Sequence, residues 1–116
     1  MSSPFFSVII STYNRASFIG RTIASVLKQD FEDFELIIVD DGSTDNTKEV
    51  VVGIEDKRIR YYKKDNAERG AARNFGAKKA SGEYLNFLDS DDLLYDDHLS
   101  TAHKIIQEEK PSVFAL

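Results

Sequence analysis

Residues 87–92 read Phe-Leu-Asp-Ser-Asp-Asp, three carboxylates within four positions, directly after the apolar, strand-length segment EYLNFL. Like charges this close repel one another unless a cation sits among them. If the chain stays extended through Asp89, Ser90 and Asp91, the first and third side chains point the same way, because strand side chains alternate with period two. Asp89 and Asp91 then share one partner. Mg²⁺ and Mn²⁺ suit such a pair, since these hard cations prefer oxygen ligands and are often held by one or two carboxylates, with phosphates completing the shell. An EF-hand calcium loop is disfavoured, because its twelve-residue spacing with Gly at the sixth position is missing from both DDGSTD and DSDDLLYDD. Asp92 reads as a cap or a supporting acid.

Two further groups stand at similar positions: Ser11, Thr12, Tyr13 and Asn14 after VII, and Asp40, Asp41, Gly42 and Ser43 after LIIV. Turn and cap preference explains any one of these loops. Five carboxylates at the ends of two strands call for more, and a divalent cation would relieve them. Between Lys57 and Lys79 nine basic residues face two acidic ones, which suits a small anionic ligand, although a solvated basic face is the commoner reading. Within that stretch Arg73 lies on a predicted helix, and a guanidinium can bind phosphate oxygens bidentately. His98 and His103 are five apart, off the i, i+4 face of a zinc motif, and read as surface or packing residues. No glycine pattern matches a P-loop or GxGxxG.

The elements that position these groups follow from hydrophobic period. Apolar runs alternate with helical stretches in the order βαβαβαβαβ, the pattern of a largely parallel, doubly covered sheet. Strands are predicted near 6–12, 34–40 and 59–63, in SGEYLNFLD, and in SVFAL at 112–116. Helices are predicted from Ala16 or Ser17, over NTKEVVVGI behind a cap at Thr44 or Asp45, over AARNFGAKKA, and over LLYDDHLSTAHKIIQEEK ahead of Pro111. In such sheets ligands bind at the carboxyl ends of strands.

With 116 residues, 41% hydrophobic, the chain suits one domain, and its net charge of −5 argues against a nucleic-acid partner. Without cysteine there is neither a disulfide framework nor a thiolate metal site. No apolar run reaches membrane-span length, and MSSPFFSVIIST lacks a charged signal n-region. SVFAL reads as a strand with nothing after it, which suggests a piece of a longer protein.

SVIISTYNR (7–15), FELIIVDDGSTD (34–45) and GAARNFGAKKASGEYLNFLDSDD (70–92) together resemble the amino-terminal half of family 2 glycosyltransferases, inverting enzymes of the GT-A fold. The resemblance implies a doubly wound, Rossmann-like, mainly parallel sheet that binds a nucleotide diphosphate sugar, most commonly of UDP, with GDP and dTDP open. It places Ser11 and Tyr13 beside the nucleoside, Asp41 as acceptor for a base nitrogen, Asp40 behind that loop, and Arg73 near the base or phosphates. Asp89 falls near the ribose and metal, and Asp91 ligates Mn²⁺ or Mg²⁺. The acceptor is implied to be a glycan or lipid-linked hydroxyl, and the setting the cytoplasm, with membrane association only through regions outside the chain.

The general base of that family is a downstream carboxylate, usually past this chain's last residue. Asp96, Asp97, Glu108 and Glu109 read as surface charge. A nucleotide-binding module without catalysis is the alternative. A phosphoacceptor signalling domain shares strand-end acids and Mg²⁺ but needs its acidic pair after strand one, whereas here the acids follow strands two and four.

Overall fold

The structure is a computed structural model that describes residues 3–109, apart from the side chain of Arg69. Strands β1 (Phe6–Thr12), β2 (Phe34–Asp40), β3 (Ile59–Lys63) and β4 (Tyr84–Asp89) alternate with helices α1 (Ala16–Leu27), α2 (Thr47–Val52), α3 (Arg69–Lys79) and α4 (His98–Glu109). The strands form a parallel sheet in the order β3-β2-β1-β4. The chain winds outward from β1 to β3, then returns to place β4 on the other side of β1. The predicted strand at 112–116 lies outside the described residues.

Both faces of the sheet are covered, which explains the unbroken apolar runs of the central strands. Val8, Ile10, Leu36 and Ile38 pack against Ile19, Ile23 and Val26 of α1, Val51 of α2, and Leu99, Ala102 and Ile106 of α4. Ile9, Ile37 and Val39 face α3 through Ala72. Propensity alone does not make α1. Its β-branched Ile19, Ile23 and Val26 forfeit at most about 0.7 kcal/mol each in helix propensity, whereas burying each contributes about 1.5–3 kcal/mol. The buried face decides.

The small residues of α3 permit close approach to the sheet. A Cβ on Gly76 would meet Ile9 Cγ2 at 2.5 Å and Val39 Cγ2 at 3.2 Å.

One predicted helix begins late. Leu93–Asp97 are not helical, and α4 starts at His98. The cause lies on α1 and the residues just after it, whose polar side chains capture the backbone of this segment: Leu94 N–H donates to Ser25 Oγ at 3.2 Å, and Gln29 Nε2 donates to the Tyr95 carbonyl at 2.6 Å. Gln29 Oε1 also accepts the Leu99 N–H at 2.9 Å. His103 packs between the rings of Phe5 and Phe31, each at 4.7 Å, while His98 Nε2 meets Asn86 Oδ1 at 3.2 Å.

The basic stretch does not form one face. Arg58 pairs with Asp56 at 2.9 Å, Arg60 reaches Glu35 at 3.2 Å, and Lys79 lies over the Tyr62 and Phe75 rings. On β3, Arg60 and Lys63 are three apart, so strand alternation sends them to opposite faces, Arg60 to Glu35 and Lys63 to the Ser43 carbonyl.

Candidate functional site

Parallel register aligns the strand ends: Ser11 pairs with Asp89, Thr12 with Asp40, and Asp40 with Lys63. Beyond those ends lies a cleft of about 370 Å³, lined by Ser11, Thr12, Tyr13 and Arg15 after β1, and by Asp41 after β2. Asn66 and Ala67 before α3, Ala72 on α3, and Asp89, Ser90 and Asp91 after β4 complete it. The order in which strands are laid down reverses here, between β1 and β4, which is where open α/β sheets bind ligands. Tyr13 keeps 45% of its surface exposed, so its ring is free to stack.

Asp40 is fully buried and holds the β2–α2 loop from behind. Its Oδ1 accepts the Ser43 N–H at 2.9 Å, and its Oδ2 accepts the Tyr61 hydroxyl at 2.5 Å. Burial and that bond to Asp40 raise the Tyr61 phenol well above its ordinary value. Asn14, held at φ 51°, ties the first loop to the second. Asn14 Oδ1 accepts the N–H groups of Thr44 and Asp45, while Asn14 N–H donates to Ser43 Oγ. Asp45 accepts the Thr47 hydroxyl and N–H and, on its other oxygen, the Ala16 N–H, bonds that lower its pKa, the Thr47 hydroxyl most. It thereby takes a first-turn N–H of α2, although Asn46 holds the capping position.

Asp41 is gripped by the segment after β3. Its Oδ1 accepts Lys64 Nζ at 2.8 Å and the Ala67 N–H at 3.1 Å, and its carbonyl accepts Asn66 Nδ2 at 2.9 Å. Gly42 allows this approach. At φ 81°, a Cβ there would meet Asn66 N at 2.7 Å.

The acidic segment turns just past Asp89, so the extended course through Ser90 and Asp91 is not taken. β4 ends at Asp89, and the Asp92 N–H folds back to the Asp89 carbonyl at 3.1 Å. The turn forms because Thr22 Oγ1 of α1 donates to the Ser90 carbonyl at 2.7 Å, drawing that residue inward. Asp89 and Asp91 nevertheless share the cleft. The cation seen beside Asp89 is Arg73, whose Nη2 lies 3.5 Å from Asp89 Oδ1. Arg73 does not itself line the cleft; it reaches it through Asp89, with its guanidinium 6.0 Å from the Phe87 ring centroid.

Among the described residues no three His, Cys, Asp or Glu side chains converge as a metal cage. Two hard carboxylates at an open cleft match the donor set that Mg²⁺ or Mn²⁺ uses when phosphates supply the remaining ligands. The Asp89–Asp91 pair fits such an ion in chemistry.

Lys64, Thr22 and Arg15 were not singled out for these positions from sequence, and Asn14 was read only as a member of the group after the first strand. The bonds from Asn14 to Ser43 and Thr44, from Lys64 to Asp41 and from Thr22 to Ser90 join residues far apart in the chain, and only the fold brings their ends together. No described helix is long and apolar enough to cross a membrane.

Comparison with known proteins agrees with this architecture. An uncharacterized glycosyltransferase of Rickettsia felis is 48% identical over 103 residues, covering 88% of this chain and 17% of that relative. The S. aureus TarS 1–349 structure in complex with UDP-GlcNAc superposes with a TM-score of 0.88 at 37% identity, covering 91% of this chain and 32% of that one. The mannosyltransferase PcManGT of Pyrobaculum calidifontis, in complex with GDP-Man and Mn²⁺, gives 0.82 at 27% identity, covering 91% and 33%. The chain thus spans about a sixth of the Rickettsia relative and about a third of each structure. Residues 7–116 match the profile of glycosyl transferase family 2, and the chain, with its parallel α/β sheet of GT-A type, belongs to that family.

Proposed function

We propose that this chain carries the donor site of an enzyme that transfers a sugar from a nucleotide diphosphate to an acceptor hydroxyl, with inversion. The observation that carries the reading is the meeting of Ser11, Tyr13, Asp41, Asp89 and Asp91 from three strand ends in one cleft at the switch point. Tyr13 offers an exposed ring for stacking on the base, Ser11 a hydroxyl beside the nucleoside, and Asp41 an acceptor for a base N–H. Asp89 addresses the ribose side, and Arg73 holds Asp89 and supplies positive charge toward the diphosphate.

Asp91, with Asp89, would hold Mg²⁺ or Mn²⁺. Such an ion, when bound, supplies Lewis-acid stabilisation of the charge that develops on the departing diphosphate. The complexes of TarS with UDP-GlcNAc and of PcManGT with GDP-Man and Mn²⁺ support a nucleotide-sugar donor and a divalent metal. UDP is the nucleotide favoured here. The attacking hydroxyl, on a glycan or lipid-linked acceptor, needs a general base. Asp96, Asp97, Glu108 and Glu109 do not line the cleft, so we place that base outside the described residues. We place the reaction in the cytoplasm, where nucleotide sugars are made.

Calorimetric titration of UDP, GDP and dTDP, each with and without Mn²⁺, tests the reading. Saturable binding of one nucleotide, tightened by the metal, is the expected result. No binding of any nucleotide by this chain or by a longer form would overturn it, and binding without turnover in the longer form would favour a non-catalytic nucleotide-binding module.

A further inference from the structure

We propose that Lys64 is the positioning residue for base recognition, holding Asp41 by one carboxylate oxygen so that the other is presented to the nucleobase. The inference rests on the nucleotide reading above. Lys64 Nζ lies 2.8 Å from Asp41 Oδ1, with side-chain exposures of only 16% and 9%. The Ala67 N–H binds the same oxygen at 3.1 Å. Asp41 Oδ2 accepts no hydrogen bond from any described residue, and Asp41 lines the cleft. The two donors divide the carboxylate into a structural oxygen and a free one.

Three consequences follow. The terminal torsion of an aspartate is intrinsically broad, and two donors on one oxygen fix it. Lys64 itself is well anchored, because its N–H extends the β2–β3 ladder to the Asp40 carbonyl at 2.9 Å and its ammonium also reaches the Asp65 carbonyl at 2.6 Å. Charge is the second consequence. A bare carboxylate beside a diphosphate site would repel the ligand, whereas an ammonium at 2.8 Å cancels that charge locally and leaves an acceptor.

Specificity is the third. An ionised carboxylate only accepts hydrogen bonds, so it favours bases with a ring N–H on the pairing edge, namely uracil, thymine and guanine. Cytosine presents a ring lone pair there, which faces the carboxylate lone pair and is rejected. Lys64 therefore acts on base choice through Asp41, without touching the base.

The test measures binding of UMP, TMP, GMP and CMP, without metal, to the wild-type chain, Lys64→Met, Lys64→Arg, Asp41→Ala and the Lys64→Met/Asp41→Ala double variant. Lys64→Met is expected to weaken the preferred nucleotide at least about tenfold, as loss of a charged hydrogen bond does, and to narrow its preference over CMP. Lys64→Arg should retain most of both, and Lys64→Met should add nothing once Asp41 is alanine. If Lys64→Met fails to fold by circular dichroism, Lys64→Gln takes its place. Unchanged affinity in the folded variant overturns the inference, and so does an equal loss in the Asp41→Ala background, which would mean that Lys64 meets the phosphate directly. Failure of the wild-type chain to bind any of the four would instead overturn the nucleotide reading, and the inference with it.

Discussion

Thr22 Oγ1 donates to the Ser90 carbonyl at 2.7 Å, joining the middle of α1 to the turn that carries Asp89 and Asp91. Thr22 and Ser25 of α1 and Gln29 just past its end form a buried polar row, and Ser25 and Gln29 bind the backbone of Leu94, Tyr95 and Leu99. Residues 90–97 have no regular structure to satisfy their own polar groups, and this row does it for them.

Replacing Thr22 by valine keeps the side-chain shape and removes the donor. The buried Ser90 carbonyl then lacks its partner, at a cost of about 1–3 kcal/mol. Denaturant unfolding should show that loss, with metal-stimulated nucleotide binding weakened more than metal-free binding. Thr22→Ser should restore both.

Asp91→Asn should abolish the gain in nucleotide affinity produced by Mn²⁺, while Asp92→Asn leaves it near wild type, because Asp91 lines the cleft and Asp92 does not. Isothermal titration of both variants with and without metal separates the two acids. Equal behaviour would remove the metal role from Asp91.

Glu35 marks the opposite end of the sheet, where it is 5% exposed. Burial raises its pKa, but hydrogen bonds from the Ser7 hydroxyl, the Ser81 N–H and hydroxyl, and Arg60 together outweigh that and bring it below 4.5. A carboxylate with a depressed folded pKa stabilises the fold above its unfolded pKa and loses that contribution as pH falls through the folded value. Glu35→Gln should therefore be less stable than wild type at neutral pH, by about 1–3 kcal/mol. The gap should narrow as pH drops below 4.5, and thermal melts across pH 3–7 measure it.

Gly76→Ala sets two effects against each other. Helix propensity favours alanine by about 1 kcal/mol, but the new Cβ would stand 2.5 Å from Ile9 Cγ2, and overpacking costs about 1–3 kcal/mol. Overpacking should win, and the urea midpoint should fall. A raised midpoint would mean that α3 can move off the sheet.

Tyr61→Phe removes a donor from fully buried Asp40. We expect about 1–3 kcal/mol of destabilisation, together with weaker nucleotide binding, because Asp40 also holds Ser43 in the loop that follows Asp41. Comparing the variant's unfolding midpoint with its nucleotide affinity distinguishes a local effect on that loop from general destabilisation.

Much of this protein follows from local pattern. Runs such as SVII and ELIIV are apolar at every position only when both faces of a strand are covered, so the four described strands and the helices between them were legible from period and length. The resemblance pointed to Ser11, Tyr13, Asp41, Asp89 and Asp91, because their motifs lie at strand ends and contiguous motifs survive without knowledge of the fold. Tertiary structure decided what depends on distant partners. It turned the acidic segment just past β4, because Thr22 claims the Ser90 carbonyl. It delayed α4 to His98, because Ser25 and Gln29 claim the preceding backbone. It also dispersed the basic stretch, sending Arg60 to Glu35, Lys64 to Asp41 and Arg73 to Asp89. A hydrogen bond is set by the position and direction of two groups, and for these pairs that relation exists only after β1, β2, β3 and β4 have taken their places in the sheet.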